Sequence, residues 1–111
     1  MATFDKKKIF SPELAIEYSE GGVISKQVTK SKAGNITLFS FDKGEGLSEH
    51  TTPFDAVVQL LDGEAEITIG GEIFHLTKGN SIIMPANVPH SLMATERFKM
   101  LLTMIKDENS K

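Results

Sequence analysis

Three imidazoles, those of His50, His75 and His90, are the side chains of this 111-residue chain best suited to hold a metal or move a proton near neutral pH. No cysteine accompanies them. That removes disulfides, thiolate metal sites and a thiol nucleophile from the available chemistry. His75 alternates with Phe74 and Leu76 along one apolar run, so it is expected to face outward, away from any site. His50 and His90 remain as candidates. They are either ligands or pocket groups of one shared site, or interior imidazoles satisfied by Ser48, Thr52, a backbone carbonyl or water.

The elements that must position these histidines read as strands. Runs rich in β-branched and aromatic residues span Gly22 to Thr29, Asn35 to Phe41, Leu47 to Thr52, Asp55 to Leu61 and Glu64 to Ile69. Further runs span Glu72 to Leu76, Ser81 to Met84, His90 to Ala94 and Phe98 to Ile105. Gly, Pro and Asn punctuate them at short intervals, the rhythm of an antiparallel sandwich or barrel. Gly70-Gly71 between Ile69 and Glu72 is the strongest hairpin signal, because a two-residue primed turn needs positive φ. Asp62-Gly63 is expected to turn the chain one strand earlier. The segment Ser11 to Tyr18, with Pro12 at a first helical position and Gly21-Gly22 beyond, reads as a short helix or an edge strand. Lys106 to Lys111 form a polar, frayed tail.

Charge narrows the partners. Twelve Lys plus Arg against fifteen Asp plus Glu give a net charge of −3, and no basic patch is interleaved with aromatic residues. Nucleic acid is therefore not an expected partner. The apolar stretches are broken by Gln59, Pro85 or Lys99, short of the roughly 20 residues that span a bilayer. With no membrane partner and no apolar leader after Met1, a cytoplasmic location is expected. Ala56 to Leu61 and Met100 to Ile105 are apolar on both faces. That implies a barrel with a covered outer wall or, as the favoured expectation, a homodimer.

The residues Gly44, His50, Gly63, Gly79, Pro85 and His90 carry a resemblance to the cupin superfamily. The segment Gly44 to His50 resembles the start of the first cupin motif, and Asp62-Gly63 closes that motif in register. The segment Gly79 to His90 resembles the second motif through its His, with Asn87 where the family has Gly. Asn is a plausible exchange there, since it tolerates left-handed backbone. The short separation from Glu64 to Lys78 is that of small single-domain microbial members. The resemblance implies an all-β fold, a double-stranded β-helix or jelly-roll barrel. Residues 35–105 would form the barrel, 1–34 an N-terminal arm or strands in contact with a dimer partner, and 106–111 the tail.

In metal-binding members of this superfamily the ligands are two His and a Glu of the first motif and the His of the second. Those places hold His50, Thr52, Ala56 and His90 here. A hydroxyl is a poor ligand and a methyl is none, whereas protein sites for zinc or non-haem iron normally supply three side chains. The resemblance thus implies at most a weakly bound divalent ion (nickel, zinc, iron or manganese) on His50 and His90. Asp55 should point outward with Val57 and Gln59, and could complete such a site only through a bulge after Pro53.

Strand parity gives the expected pocket: Ser48, His50 and Thr52 on one strand, Ala56, Val58 and Leu60 on the next, then His90, Leu92 and Met100. Phe98, Met100, Leu102 and Met104 form one inner face of the last strand, as pocket wall or packed core. The leading expectation is a barrel binding a small organic molecule in an apolar pocket that contains two His. The alternatives are a metal-dependent dioxygenase or isomerase, its two-His site completed by water or Asp55, and a non-catalytic sensor barrel.

Overall fold

Gly70 and Gly71 take φ of 56° and 85° in the computed structural model, which describes residues 2–106, and they close the tight hairpin their sequence demands. The other punctuation likewise separates strands. The described chain forms β1 (Val23–Ser31), β2 (Gly34–Phe41), β3 (Gly46–His50), β4 (Phe54–Ile69), β5 (Glu72–Thr77), β6 (Ser81–Met84), β7 (His90–Met93) and β8 (Phe98–Lys106). All strand pairings are antiparallel. One sheet runs β1-β2-β8-β4-β6, and the second runs β5-β4-β7-β3. The result is an all-β double-stranded β-helix. No helix among the described residues is long and apolar enough to cross a membrane.

β4 belongs to both sheets, which corrects the turn expected at Asp62-Gly63. Its first half pairs with β6 and β8, and its second half with β5 and β7. Between them the register against β8 shifts from Leu60↔Met100 to Asp62↔Lys99, a bulge that bends the strand instead of ending it. Gly63 has φ of 80°, and a Cβ there would lie 1.7 Å from the Arg97 carbonyl oxygen. The positive-φ glycine that reads as a turn therefore serves a bulge and a close backbone crossing.

Between the sheets lies the main core. Phe41, Phe98, Met100, Val58 and Ile67 are fully buried, with Phe41 and Phe98 stacked at 4.5 Å between centroids. Phe98, Met100 and Leu102 are buried in this core, and Met104 packs against it. A second cluster of Ile16, Val28 and Leu38 sits on the outer face of the first sheet, with Leu61 and Leu101 against it. Phe4 and Ala15 complete it. Leu61 of β4 and Leu101 of β8 are thus covered by the N-terminal arm of the same chain, while Ile105 of β8 stays half exposed.

That arm is neither helix nor strand over Ser11–Tyr18. Ala15 N–H donates to Ser11 O at 2.9 Å, but the single turn does not propagate. The carbonyls that would continue it are taken by barrel side chains: Lys99 Nζ donates to Glu13 O at 2.6 Å, Lys26 Nζ to Ala15 O at 3.0 Å, and Ser40 Oγ to Glu17 O at 2.6 Å. Tyr18 Oη donates to Asp62 Oδ2, and the Arg97 guanidinium lies over the Tyr18 ring at 4.4 Å. These anchors replace the helix hydrogen bonds. Lys106 ends β8, and the rest of the expected tail, residues 107–111, lies outside the described residues.

Candidate functional site

His50 closes β3 and His90 opens β7, and the antiparallel ladder makes them direct partners. Their ring centroids lie 4.4 Å apart with planes at 68°. The pairing depends on a register shift in β3, where Leu47↔Leu92 is followed by His50↔His90, so three residues of β3 span two of β7. That bulge restores Leu47 and His50 to the same side as Leu92 and His90. Ser48 lines an open groove of about 560 Å³ with Glu49, Glu66, Thr68, Ser91 and Met93, to which Gly46, Leu47 and Leu92 also contribute. The bulge, and not simple alternation, therefore decides what β3 presents to the barrel mouth.

Both imidazoles are oriented by backbone. His50 Nδ1 lies 2.7 Å from Ser48 O, and His90 Nδ1 lies 3.1 Å from Val88 O. A carbonyl oxygen only accepts, so each Nδ1 carries the proton and donates. In the neutral ring each Nε2 then holds a lone pair, and no hydrogen bond reaches either Nε2 among the described residues. His90 is 3% exposed. Thr95 Oγ1 is the only buried side-chain polar atom without a partner among the described residues, so the unbonded Nε2 of His90 opens to solvent and not to the core. Burial lowers the pKa of His90, and the neighbouring His50 lowers it further against the opposing bond to Val88 O. His90 is held neutral, while His50 is exposed at the rim.

The loops beneath the pair are clasped together. Asn87 N–H donates to Thr52 O at 2.8 Å, and Ala86 N–H donates to Asp55 Oδ1 at 2.8 Å. Asn87 has φ of 65°, the left-handed backbone expected where the motif has Gly. Thr52 Oγ1 accepts from Phe54 N–H at 3.1 Å. The side chains of Thr52 and Asp55 are therefore engaged in local backbone bonds. Across the mouth, Ile69 pairs with His90, and one step deeper Leu47 and Ile67 flank Leu92. Of these, Ile67 and Leu92 are buried in the core, and Leu47 and Ile69 are partly exposed. Ala56, Val58, Leu60, Leu92 and Met100 are buried together with Phe41 and Phe98 in the main core. His75 is exposed on β5 and bonds Glu64 at 2.9 Å, the outward position its alternation predicts.

A tightly held metal of the superfamily type does not fit this donor set. Ala56 offers no donor, and the Thr52 hydroxyl is spent on Phe54. Among the described residues no three His, Cys, Asp or Glu side chains come together in metal-binding geometry, so Asp55 does not join the His pair. The β4–β8 register runs without interruption from Phe54 to Leu60, so the bulge that would have turned Asp55 inward is missing. Leu47 and Ile69, and the two backbone acceptors, escape a reading of the sequence. The bulge in β3 sets Leu47 on the side of His50, and the β4–β7 register sets Ile69 opposite His90; no residue type there announces either.

Residues 37–105 match the cupin domain family. A search among curated proteins found no match. Among solved structures, the chain is 35% identical to a conserved protein of unknown function from Streptococcus pyogenes, with 97% of each chain covered and a TM-score of 0.89. It is 31% identical to a cupin superfamily protein from Desulfitobacterium hafniense, with 95% of each chain covered and a TM-score of 0.84. A cupin 2 conserved barrel domain protein from Leptotrichia buccalis is 42% identical at a TM-score of 0.82, the match covering 85% of this chain and 46% of that one.

Proposed function

The chain belongs to the cupin domain family, and from that membership and the geometry of its His pair we propose that it binds a small organic molecule at the barrel mouth without a resident metal. One observation carries this reading: two adjacent imidazoles have their Nδ1 atoms committed to backbone carbonyls and their Nε2 atoms uncommitted. A histidine serving only as filler would have its second nitrogen satisfied by protein or be replaced by an apolar residue. The partly exposed Leu47 and Ile69 add apolar contact for the body of the ligand. A fragment screen by thermal shift tests it. Ligands are expected to raise the melting temperature of the wild type and to lose most of that effect in His50→Ala, whose exposed position spares the core. Hits that act equally on His50→Ala would sink the reading.

A second reading has its own support. Nδ1–H bonded to a carbonyl is the arrangement that orients metal-ligating histidines. A divalent nickel, zinc, iron or manganese ion held by the two Nε2 atoms and solvent would serve a metal-dependent enzyme. Two protein ligands would hold it weakly. We further propose that the chain pairs with a second copy of itself through the arm, where Ile9, Phe10 and Leu14 stand exposed.

A further inference from the structure

We propose that the ligand of the His50–His90 pair is a hydrogen-bond donor, an uncharged molecule bearing two hydroxyls on neighbouring carbons of an otherwise apolar ring. The proposal rests on the binding reading above and names the chemistry that reading leaves open. Each Nδ1–H is consumed by a carbonyl, Ser48 O for His50 and Val88 O for His90. With Nδ1–H so committed, each ring in its neutral form presents one acceptor lone pair at Nε2 and no free donor. An anion such as a carboxylate or phosphate brings only acceptors, and it would meet lone pairs. No lysine or arginine is bonded to either ring, so nothing at the pair offsets that mismatch among the described residues.

The ring separation sets the scale. Centroids 4.4 Å apart keep both Nε2 atoms within the span of one small molecule. Two hydroxyls on adjacent carbons can donate one bond to each. Ile69, paired with His90, and Leu47, one step deeper on β3, are aliphatic and partly exposed, while Ile67 and Leu92 behind them are buried. Such a surface takes the face of a ring and offers nothing polar to a third substituent.

Long-range proton–nitrogen NMR of the imidazoles tests this in the intact chain at about pH 7.5, above the ordinary histidine pKa. Both rings are expected to rest with Nδ1 protonated and Nε2 bare. Catechol and cis-1,2-cyclohexanediol are then added separately, to distinguish an aromatic from a saturated diol, with 1,2-dimethoxybenzene and benzoate as controls. The expected result is that at least one diol shifts both Nε2 resonances, while dimethoxybenzene, which has the same ring and no donor, binds about tenfold more weakly or not at all. A resting Nε2–H on either ring overturns the proposal. Binding of benzoate with protonation of Nε2, and none of either diol, overturns the donor assignment while leaving a small-molecule site in place. No shift of either imidazole with any of the four compounds overturns both readings.

Discussion

Burial lowers the pKa of His90, with His50 adding to the effect and the bond to Val88 O opposing it. The folded pKa lies below the unfolded value of about 6.5, so the unfolded chain binds this proton more readily. The stability that neutral His90 contributes is complete above about pH 6.5 and is lost as the pH falls through the folded value. Urea midpoints measured at about pH 7.5 and about pH 5 should show that loss in the wild type and a smaller one in His90→Asn, whose amide can still donate to Val88 O. An equal loss in both proteins would place the acid sensitivity elsewhere. Gly63 supports a second prediction at this scale. With φ of 80° and the Arg97 carbonyl 1.7 Å from any Cβ, Gly63→Ala should cost more than the about 1–3 kcal/mol of backbone strain alone. Denaturant unfolding checks this, and a loss under about 1 kcal/mol would contradict the close crossing. The resemblance to the cupin motifs singled out both histidines. The role of Gly63 was not, because a positive-φ glycine serves a hairpin turn and a strand bulge equally well.

Strand by strand, alternation and turn chemistry were readable wherever one face of a strand is buried and the turn residues are glycines, as at Gly70-Gly71 between β4 and β5. They failed where long-range contacts decide. The Ser11–Tyr18 segment has helical punctuation, but Lys99, Lys26 and Ser40 capture its carbonyls from strands far away in sequence. Likewise the β3 bulge aligns His50 with His90 through pairing to β7, which no local pattern encodes. The arm offers a direct test. Tyr18→Phe removes the hydroxyl that donates to Asp62 and should destabilise the protein by about 1 kcal/mol, since the bond is only partly buried. Hydrogen exchange should quicken over residues 4–18 more than in β4 or β8. Unchanged protection of the arm would show that its apolar contacts with Val28 and Leu38 suffice to hold it.

The barrel as a whole was the most legible level. Glycine, proline and histidine spacing reports the path of the chain, and a match over residues 37–105 agrees with it. The covering of the outer wall was less so: Phe4, Ala15 and Ile16 of the same chain pack on part of it, and Ile105 of β8 stays half exposed. On the arm itself Ile9 is fully exposed and Leu14 mostly. Sedimentation equilibrium at micromolar concentration should give twice the 12.2 kDa chain mass, and removal of residues 2–10 should give one chain. A wild-type protein that sediments as a single chain would refute the pairing. The two imidazoles occupy places that the resemblance to metal-binding members of the superfamily marks as ligands, with Thr52 and Ala56 at the other two, and we propose that they hold no resident metal. Elemental analysis of the purified wild type beside His50→Ala tests it most directly. Metal far below one ion per chain is expected in both proteins. Nickel, zinc, iron or manganese near one per chain in the wild type, and lost in His50→Ala, would contradict it.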